Sequence, residues 1–502
     1  MISIPAFSWR RALPVLAVGA IVAAVAAVLD GAHLFPGLRF AVQRNVQLLP
    51  STAAVPVEEV KRGLPIVSLW LDEPDLHDPE RGILANPLGR GRDWERPASF
   101  TYFQGGRPVF GTAAGVRVHG GGSRLTSRVQ SLRVYFRRSY GMREAPPGLF
   151  FGGRGDPLRQ LVLHNDLRDD SNGITWHFTN PLAYDIVRRV GGLTVNTQPA
   201  QLYLNGKWIG TYVLTEHISR QFFRAHFGHD QFRFEDAGED LYHWVRANRP
   251  VTMRKLTGYV DVENLTSWFL AVLFCGTEDQ FQAPSQVYDQ IRNRWFWIAW
   301  DMDQSFLFSR GVGVERNSFD STLDRGRVHR GRRRTEVRGT ILADLLHEDP
   351  EYRSYFQRRF AQMLNHQVTP EFLRARYAYY ARVVQDFGVP HDTFLRHLRV
   401  FLRTRPDILW AHATRELGTG DPVRLEISGA EHAVVDGQVV RLPYRGRYFP
   451  GMEIEIRPAP DALPGAGPWL VDGEERGVEE GAALRLTLRK DTLVTLLRGG
   501  DS

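Results

Sequence analysis

Near the middle of the chain, AQLYLNGKWIGTYVLTEHI sets two runs of β-branched and aromatic residues on either side of Asn205–Gly206. Asn and Gly accept the positive φ that a tight two-residue turn between antiparallel strands requires. The segment therefore reads as a β-hairpin, the clearest local signal in the chain. Composition agrees: 43% of the 502 residues are hydrophobic and 24% charged, and 29 Phe, 16 Tyr and 12 Trp are ample material for a large core.

Other segments repeat the strand pattern. LPIVSLWL, from Leu64, SFTYF, GVRVHG, SLRVYF and RQLVLHN read as strands, and QVYDQ with RWFWIAWDMD reads as a second hairpin. Helical patterns interleave with them. NPLAYDIVRRVGG ends at a glycine stop, and DVENLTSWFLAVLFCGTEDQ is an apolar helix ending near Gly276. Thr369 and Pro370 open TPEFLRARYAYYARVVQDF as N-cap and first helical residue. DTFLRHLRVFLRTRPDILWAHATREL continues as one or two helices. DEPDLHDPERGILANPLGRGRDWERPAS, full of Asp, Pro, Gly and Asn, reads as a long ordered loop. From about Pro422 the period returns to two in VRLEI, MEIEI and LRLTL, which predicts a small β domain, a sandwich. The fold class is α+β.

Arg10 and Arg11 precede an uncharged Ala- and Val-rich run from Ala12 to Leu29. At roughly 18 residues it is near the lower limit for a spanning helix and longer than a signal-peptide core. A signal anchor is expected in preference to a cleaved signal peptide. Residues 1–11 would then be cytoplasmic, 12–29 transmembrane and 30–63 a tether, with everything beyond on the extracytoplasmic side. The single Cys, Cys275, lies in an apolar run and excludes an intrachain disulfide or a zinc finger. The net charge of +7 is compatible with an anionic partner without demanding one. No nucleic-acid partner is expected.

Five features carry chemistry. Asp301 and Asp303 follow the apolar strand WFWIAW in WDMDQSF; two carboxylates there serve either as Mg²⁺ ligands or as a hydrogen-bonded cap. Glu278 and Asp279 end an apolar helix, where the dipole disfavours acids, one hairpin strand before Asp301; they either meet Asp301 and Asp303 in one cleft or are two solvated charges at a helix end. HGGGSR presents Gly120, Gly121 and Gly122, whose amides can cradle a phosphate, with Ser123 and Arg124 as further donors; the alternative is a flexible hairpin loop. Glu216 at the end of the hairpin either pairs with a phosphate-binding cation or is an exposed strand-end acid. The arginine-dense run at 325–339 is either a solvated loop or a docking site for an acidic polymer.

In order, GILANPLGRGRDWERPAS, GVRVHGGGSR with SLRVYFRRSYG, AQLYLNGKWIGTYVLTEHI and WFWIAWDMDQSF resemble the CotH family of atypical protein kinases, over roughly Leu64 to Phe308. The resemblance implies a divergent protein-kinase-like two-lobed domain over 64–418, followed by the β domain at 419–502. It implies ATP and Mg²⁺ as cofactors and phosphate transfer to a protein Ser. Asp279 matches the catalytic acid, and Asp301, with Asp303 beside it, matches the metal-binding acid. Glu216 matches the acid after the hairpin, and Arg124 and Arg133 match basic positions around the glycine loop. Two departures stand out: Val129-Gln130-Ser131 replaces the Lys-Lys-Ser that family members often carry, and no Asn follows Asp279 closely. The reading is a membrane-anchored phosphotransferase acting on a protein or anionic polymer. Its rival is a non-catalytic envelope or surface protein that uses the same scaffold for binding or adhesion.

Overall fold

The structure is a computed structural model; it describes residues 63–498 except 127–128, 154, 170–174, 234–236, 278–285, 307–312, 324–332, 386–391, 430, 460–465 and 477–482. The expected membrane anchor at 12–29, Asp279 and the loop of the 325–339 run up to residue 332 lie outside the described residues. Among the described residues no helix is long and apolar enough to cross a membrane. The architecture is α+β and includes a C-terminal sheet region. The chain divides into two compact units: one ends at Leu167 and resumes over Asn196–Asp230, and the other comprises Arg168–Val195 and the chain from Gln231 onward.

The first unit is a closed barrel. Strands Ile66–Trp70, Arg96–Gln104, Arg107–His119, Ser131–Tyr135 and Gln160–His164 pair successively and antiparallel. The hairpin Thr197–Leu204 and Lys207–Glu216 completes it: the second strand pairs with Gln160–His164 and the first runs parallel to Ile66–Trp70. Alternation sends one side chain in two inward, so Val67, Leu69, Phe100, Tyr102, Val116, Val134, Leu161, Leu202 and Leu214 share one core. The turn is as the sequence requires, with Asn205 at φ 48° and Gly206 at φ 76°. Asn205 does more than turn the chain. Its side-chain Oδ1 accepts the Leu71 amide and its Nδ2 donates to the Leu71 carbonyl, both at 2.8 Å, which latches the hairpin to the end of the first strand. The expected long loop between the first two strands contains a short helix, Glu73–His77, with Pro74 in its first turn.

The second unit is built on helix Val262–Cys275, almost entirely buried. Asp261 caps its start by accepting the Asn264 amide, and Gly276, at φ 61°, ends it. Beside it strand Arg294–Ala299 pairs antiparallel with Gln286–Asp289 and parallel with Leu193–Thr194. Asn264 ties helix to strand, exchanging hydrogen bonds with the Trp297 backbone at 2.6 and 3.0 Å. Asp392–Leu417 is one continuous helix despite Pro406. The C-terminal region forms sheets of five and four strands. Within this unit Phe449 packs against Phe360 and Trp410, with ring centroids 5.5 and 4.9 Å away.

Candidate functional site

In the first unit, the glycine loop leaves the long strand at His119 and runs into a single helical turn, Ser123–Thr126. Gly120 has φ 117°, and a Cβ there would stand 2.5 Å from Ser123 Oγ, so glycine is required. A Cβ on Gly121 or Gly122 would meet nothing within 4 Å. Arg124 is buried beneath this turn. Its Nε donates to the Gly120 carbonyl at 2.6 Å and its Nη1 to the Pro87 and Gly89 carbonyls at 2.9 Å. The guanidinium expected to grip phosphate thus staples the loop to the 86–94 segment, and its Nη2 has no hydrogen-bond partner among the described residues.

Arg133 stands across the same strand pair, opposite Arg117. Its Nη2 reaches His119 Nδ1 at 2.7 Å and its Nε reaches the same atom at 3.2 Å. Guanidinium can only donate, so Nδ1 is the acceptor and the neutral imidazole carries its proton on Nε2. Burial, then the charge of Arg133, holds the His119 pKa well below the usual histidine value. His217 is depressed to about 3, first by burial and then by Arg133 and Arg117. The positive field here is therefore made of arginines rather than histidines. Arg117, Arg133 and Arg137 lie 5.2, 6.0 and 4.8 Å from the Tyr135 ring centre. Arg137 is neutralised by a two-pronged bond to Glu95, at 2.7 and 2.9 Å.

Glu216 is buried rather than an exposed strand-end acid. Its Oε2 accepts the backbone and side-chain amides of Asn196 at 3.1 and 3.0 Å and lies 3.5 Å from His226 Nε2. In this unit it orders the start of the hairpin.

In the second unit, strand Arg294–Ala299 ends before the acids, so Asp301 and Asp303 sit in the turn beyond it and not on the strand itself. Both are half-buried and flank the buried Met302. Asp301 has a left-handed backbone, φ 55°, a conformation that non-glycine residues keep only where the surroundings impose it. The imposing contacts come from helix Thr179–Arg189. Its Tyr184 hydroxyl accepts the Asp301 amide at 3.0 Å, and Thr179 Oγ1 donates to the Asp303 carbonyl at 3.1 Å. Neither contact has a local sequence signal. The Phe306 amide donates to the Cys275 carbonyl at 2.9 Å, which joins the acidic turn to the end of the helix that leads into the Asp279 segment.

Among the described residues, no group of three or more His, Cys, Asp or Glu could hold a metal ion. Two carboxylates are nevertheless the donor set that Mg²⁺ takes when phosphate and water complete its shell, so Asp301 and Asp303 fit a metal–nucleotide rather than a free-standing metal. Cys275 is fully buried and its thiol pKa is pushed far up, which makes it a core residue.

No curated protein matches the chain. The family model described as CotH kinase protein matches residues 116–252 and 234–393, more than half the chain. That span takes in the glycine loop, the hairpin, the buried helix and the acidic turn, and the chain belongs to the CotH kinase family.

Proposed function

We propose that the chain is a membrane-anchored phosphotransferase of divergent, two-lobed kinase-like design, moving the γ-phosphate of ATP to a Ser, Thr or other hydroxyl on a protein or anionic polymer. The observation that supports this reading is the Phe306–Cys275 hydrogen bond, which ties the turn carrying Asp301 and Asp303 to the end of the helix that precedes Asp279 in the sequence. Asp301 and Asp303 would hold Mg²⁺. The bound metal–nucleotide supplies the phosphoryl group and the charge neutralisation, and little covalent chemistry is left to the protein. Asp279 accepts the proton of the acceptor hydroxyl. Gly120, Gly121, Gly122, Ser123, Arg124 and Arg133 are assigned to the nucleotide phosphates, with Glu216 ordering the hairpin beside them. Arg10, Arg11 and the uncharged run after them support an anchor with the catalytic region outside the cytoplasm.

A non-catalytic surface protein is the second reading. It is favoured by Arg124, whose Nε and Nη1 donors are taken by backbone carbonyls, and by the absence of lysine at 129–130. The test incubates the full-length chain with Mg²⁺ and γ-labelled ATP and follows both label transfer and the melting temperature. Transfer with Mg²⁺-dependent stabilisation supports the enzyme. Neither effect, in a folded sample, leaves the binding protein.

A further inference from the structure

The four last carbonyls of an α-helix have no partner within the helix. In helix Val262–Cys275 each is accounted for. Val272 is taken by the Gly276 amide and Cys275 by the Phe306 amide. The other two, Leu273 and Phe274, accept from one side chain, Arg405, at 2.5 and 3.1 Å. Arg405 comes from helix Asp392–Leu417 and is completely buried. Its remaining donors go to the Val314 and Arg316 carbonyls, at 2.7 and 2.8 Å, and to Ser318 Oγ at 2.9 Å. A guanidinium has five N–H donors, and all five are used. Burial lowers its pKa only to about 10, so it stays charged at neutral pH. A buried cation at a helix C-terminus is well placed, because the carbonyls there carry partial negative charge.

The position of this residue gives it a role beyond packing. Chain leaving Arg405 on one side runs through Thr277, fully buried, into the segment with Asp279. On the other side Val314, Arg316 and Ser318 are where the chain returns after the acidic turn. One turn earlier on the same helix, Phe401 packs edge-on against Phe306, with centroids 5.3 Å apart. One helix face therefore grips the end of the helix that precedes Asp279 in the sequence and, at Phe306 and at Val314, Arg316 and Ser318, the chain that follows Asp301 and Asp303.

We propose that Arg405 is a positioning residue for phosphoryl transfer, fixing the helix end that precedes Asp279 in the sequence and the chain that follows the acidic turn; this rests on the phosphotransferase reading above. A shift of about 1 Å in such groups is enough to lower turnover roughly 10²-fold. All five Arg405 donors are spent on protein groups, and the Asp301 amide is held separately by Tyr184, so loss of Arg405 acts on kcat rather than on nucleotide affinity.

The experiment compares the full-length wild type with Arg405→Lys, which keeps the charge but has three donors for five acceptors, and with Ser318→Ala, which removes one bond and leaves the guanidinium in place. Steady-state turnover and amide hydrogen exchange are measured on each. For Arg405→Lys the expected result is a kcat lower by about 10–10²-fold with KM for ATP changed by less than about threefold. Exchange should quicken at 273–277 and 313–318 and stay unchanged in the barrel and in the C-terminal sheets. Ser318→Ala should move both in the same direction, with kcat down about two- to tenfold; if Arg405→Lys does not fold, this variant alone decides. Unchanged kcat, or exchange that rises uniformly through the whole second unit, overturns the proposal. Wild type that transfers no phosphate refutes the functional reading instead. The exchange pattern then still judges the clamp: localised loosening upholds it and wild-type exchange removes it.

Discussion

The Tyr184 hydroxyl accepts the backbone N–H of Asp301 at 3.0 Å, and that amide belongs to a residue held at φ 55°. Phenylalanine at 184 would keep the packing of this buried ring and remove the hydroxyl that accepts the Asp301 amide. Tyr184→Phe should lower stability by about 0.5–1.5 kcal/mol, the usual loss for one hydrogen bond. It should also shrink the melting-temperature gain produced by Mg²⁺–ATP. A full gain in the variant would mean that the left-handed turn does not depend on Tyr184.

The acids separate binding from chemistry. Asp301→Asn should remove Mg²⁺-dependent stabilisation by ATP without unfolding the protein, because relieving repulsion between neighbouring carboxylates offsets what is lost. Asp279→Asn should instead cut turnover by about 10²–10⁴-fold and leave nucleotide stabilisation nearly intact. Melting curves with and without Mg²⁺–ATP, beside a transfer assay, read both. A lowered melting point with full nucleotide stabilisation in Asp301→Asn would make that residue a structural cap.

The three loop glycines should respond differently to alanine. Gly120→Ala meets a strained φ and a 2.5 Å contact, so a loss of about 1–3 kcal/mol is expected. Gly121→Ala and Gly122→Ala enter open space and should stay within about 0.5 kcal/mol of wild type. If that open space receives phosphate, both should still weaken nucleotide stabilisation. Equal losses at all three positions would contradict this account of the loop.

Acid should destabilise the fold through its buried histidines. Burial depresses His217 to about 3, and His366 and His412 to about 4, from an ordinary value of 6.5. The unfolded chain takes up protons near pH 6.5 that the native state refuses until pH 3–4. Stability from these groups is thus complete above pH 6.5 and falls away through that window. The melting temperature should drop from pH 7 towards pH 4, and His217→Gln should flatten the slope. A slope identical to wild type would remove His217 from the set.

The C-terminal sheets share rings with the helices before them. Phe449→Ala would open a cavity against Phe360 and Trp410 and should cost about 3–5 kcal/mol. A chain ending near Gly420 would expose the same two rings and should melt earlier than the full chain. An unaltered melting temperature for the truncated protein would establish 419–502 as an independent domain.

What could be read in advance was what local chemistry dictates. The hairpin at Asn205–Gly206 and the stop of helix Val262–Cys275 at Gly276 follow from residues that tolerate positive φ. The acids after WFWIAW stand out because carboxylates are expensive beside an apolar strand. Helix Glu73–His77 was hidden by the Asp and Pro residues around it, which also suit a loop. Tyr184 lies 117 residues before Asp301, and no pattern along the chain couples them. Arg405 would ordinarily be assigned to a solvated helix face, and Pro406 after it left open a break that packing overrides. Long-range pairing decides such cases, and it leaves no periodicity to detect.

The barrel is closed by its first strand meeting the hairpin, with Leu71 latched to Asn205 across 134 residues of chain. Until residue 205 has been made and brought round, strand Ile66–Trp70 presents an open edge, the kind of edge that recruits strands from other chains. The second unit's Arg168–Val195 segment lies in the interval and lengthens the loop that closure must span. Closure is therefore a late, entropically slow event that a nascent chain crosses with one edge of its first strand unpaired. The yield of this protein should depend less on its final stability than on whatever shields that one strand while the rest is still being synthesised.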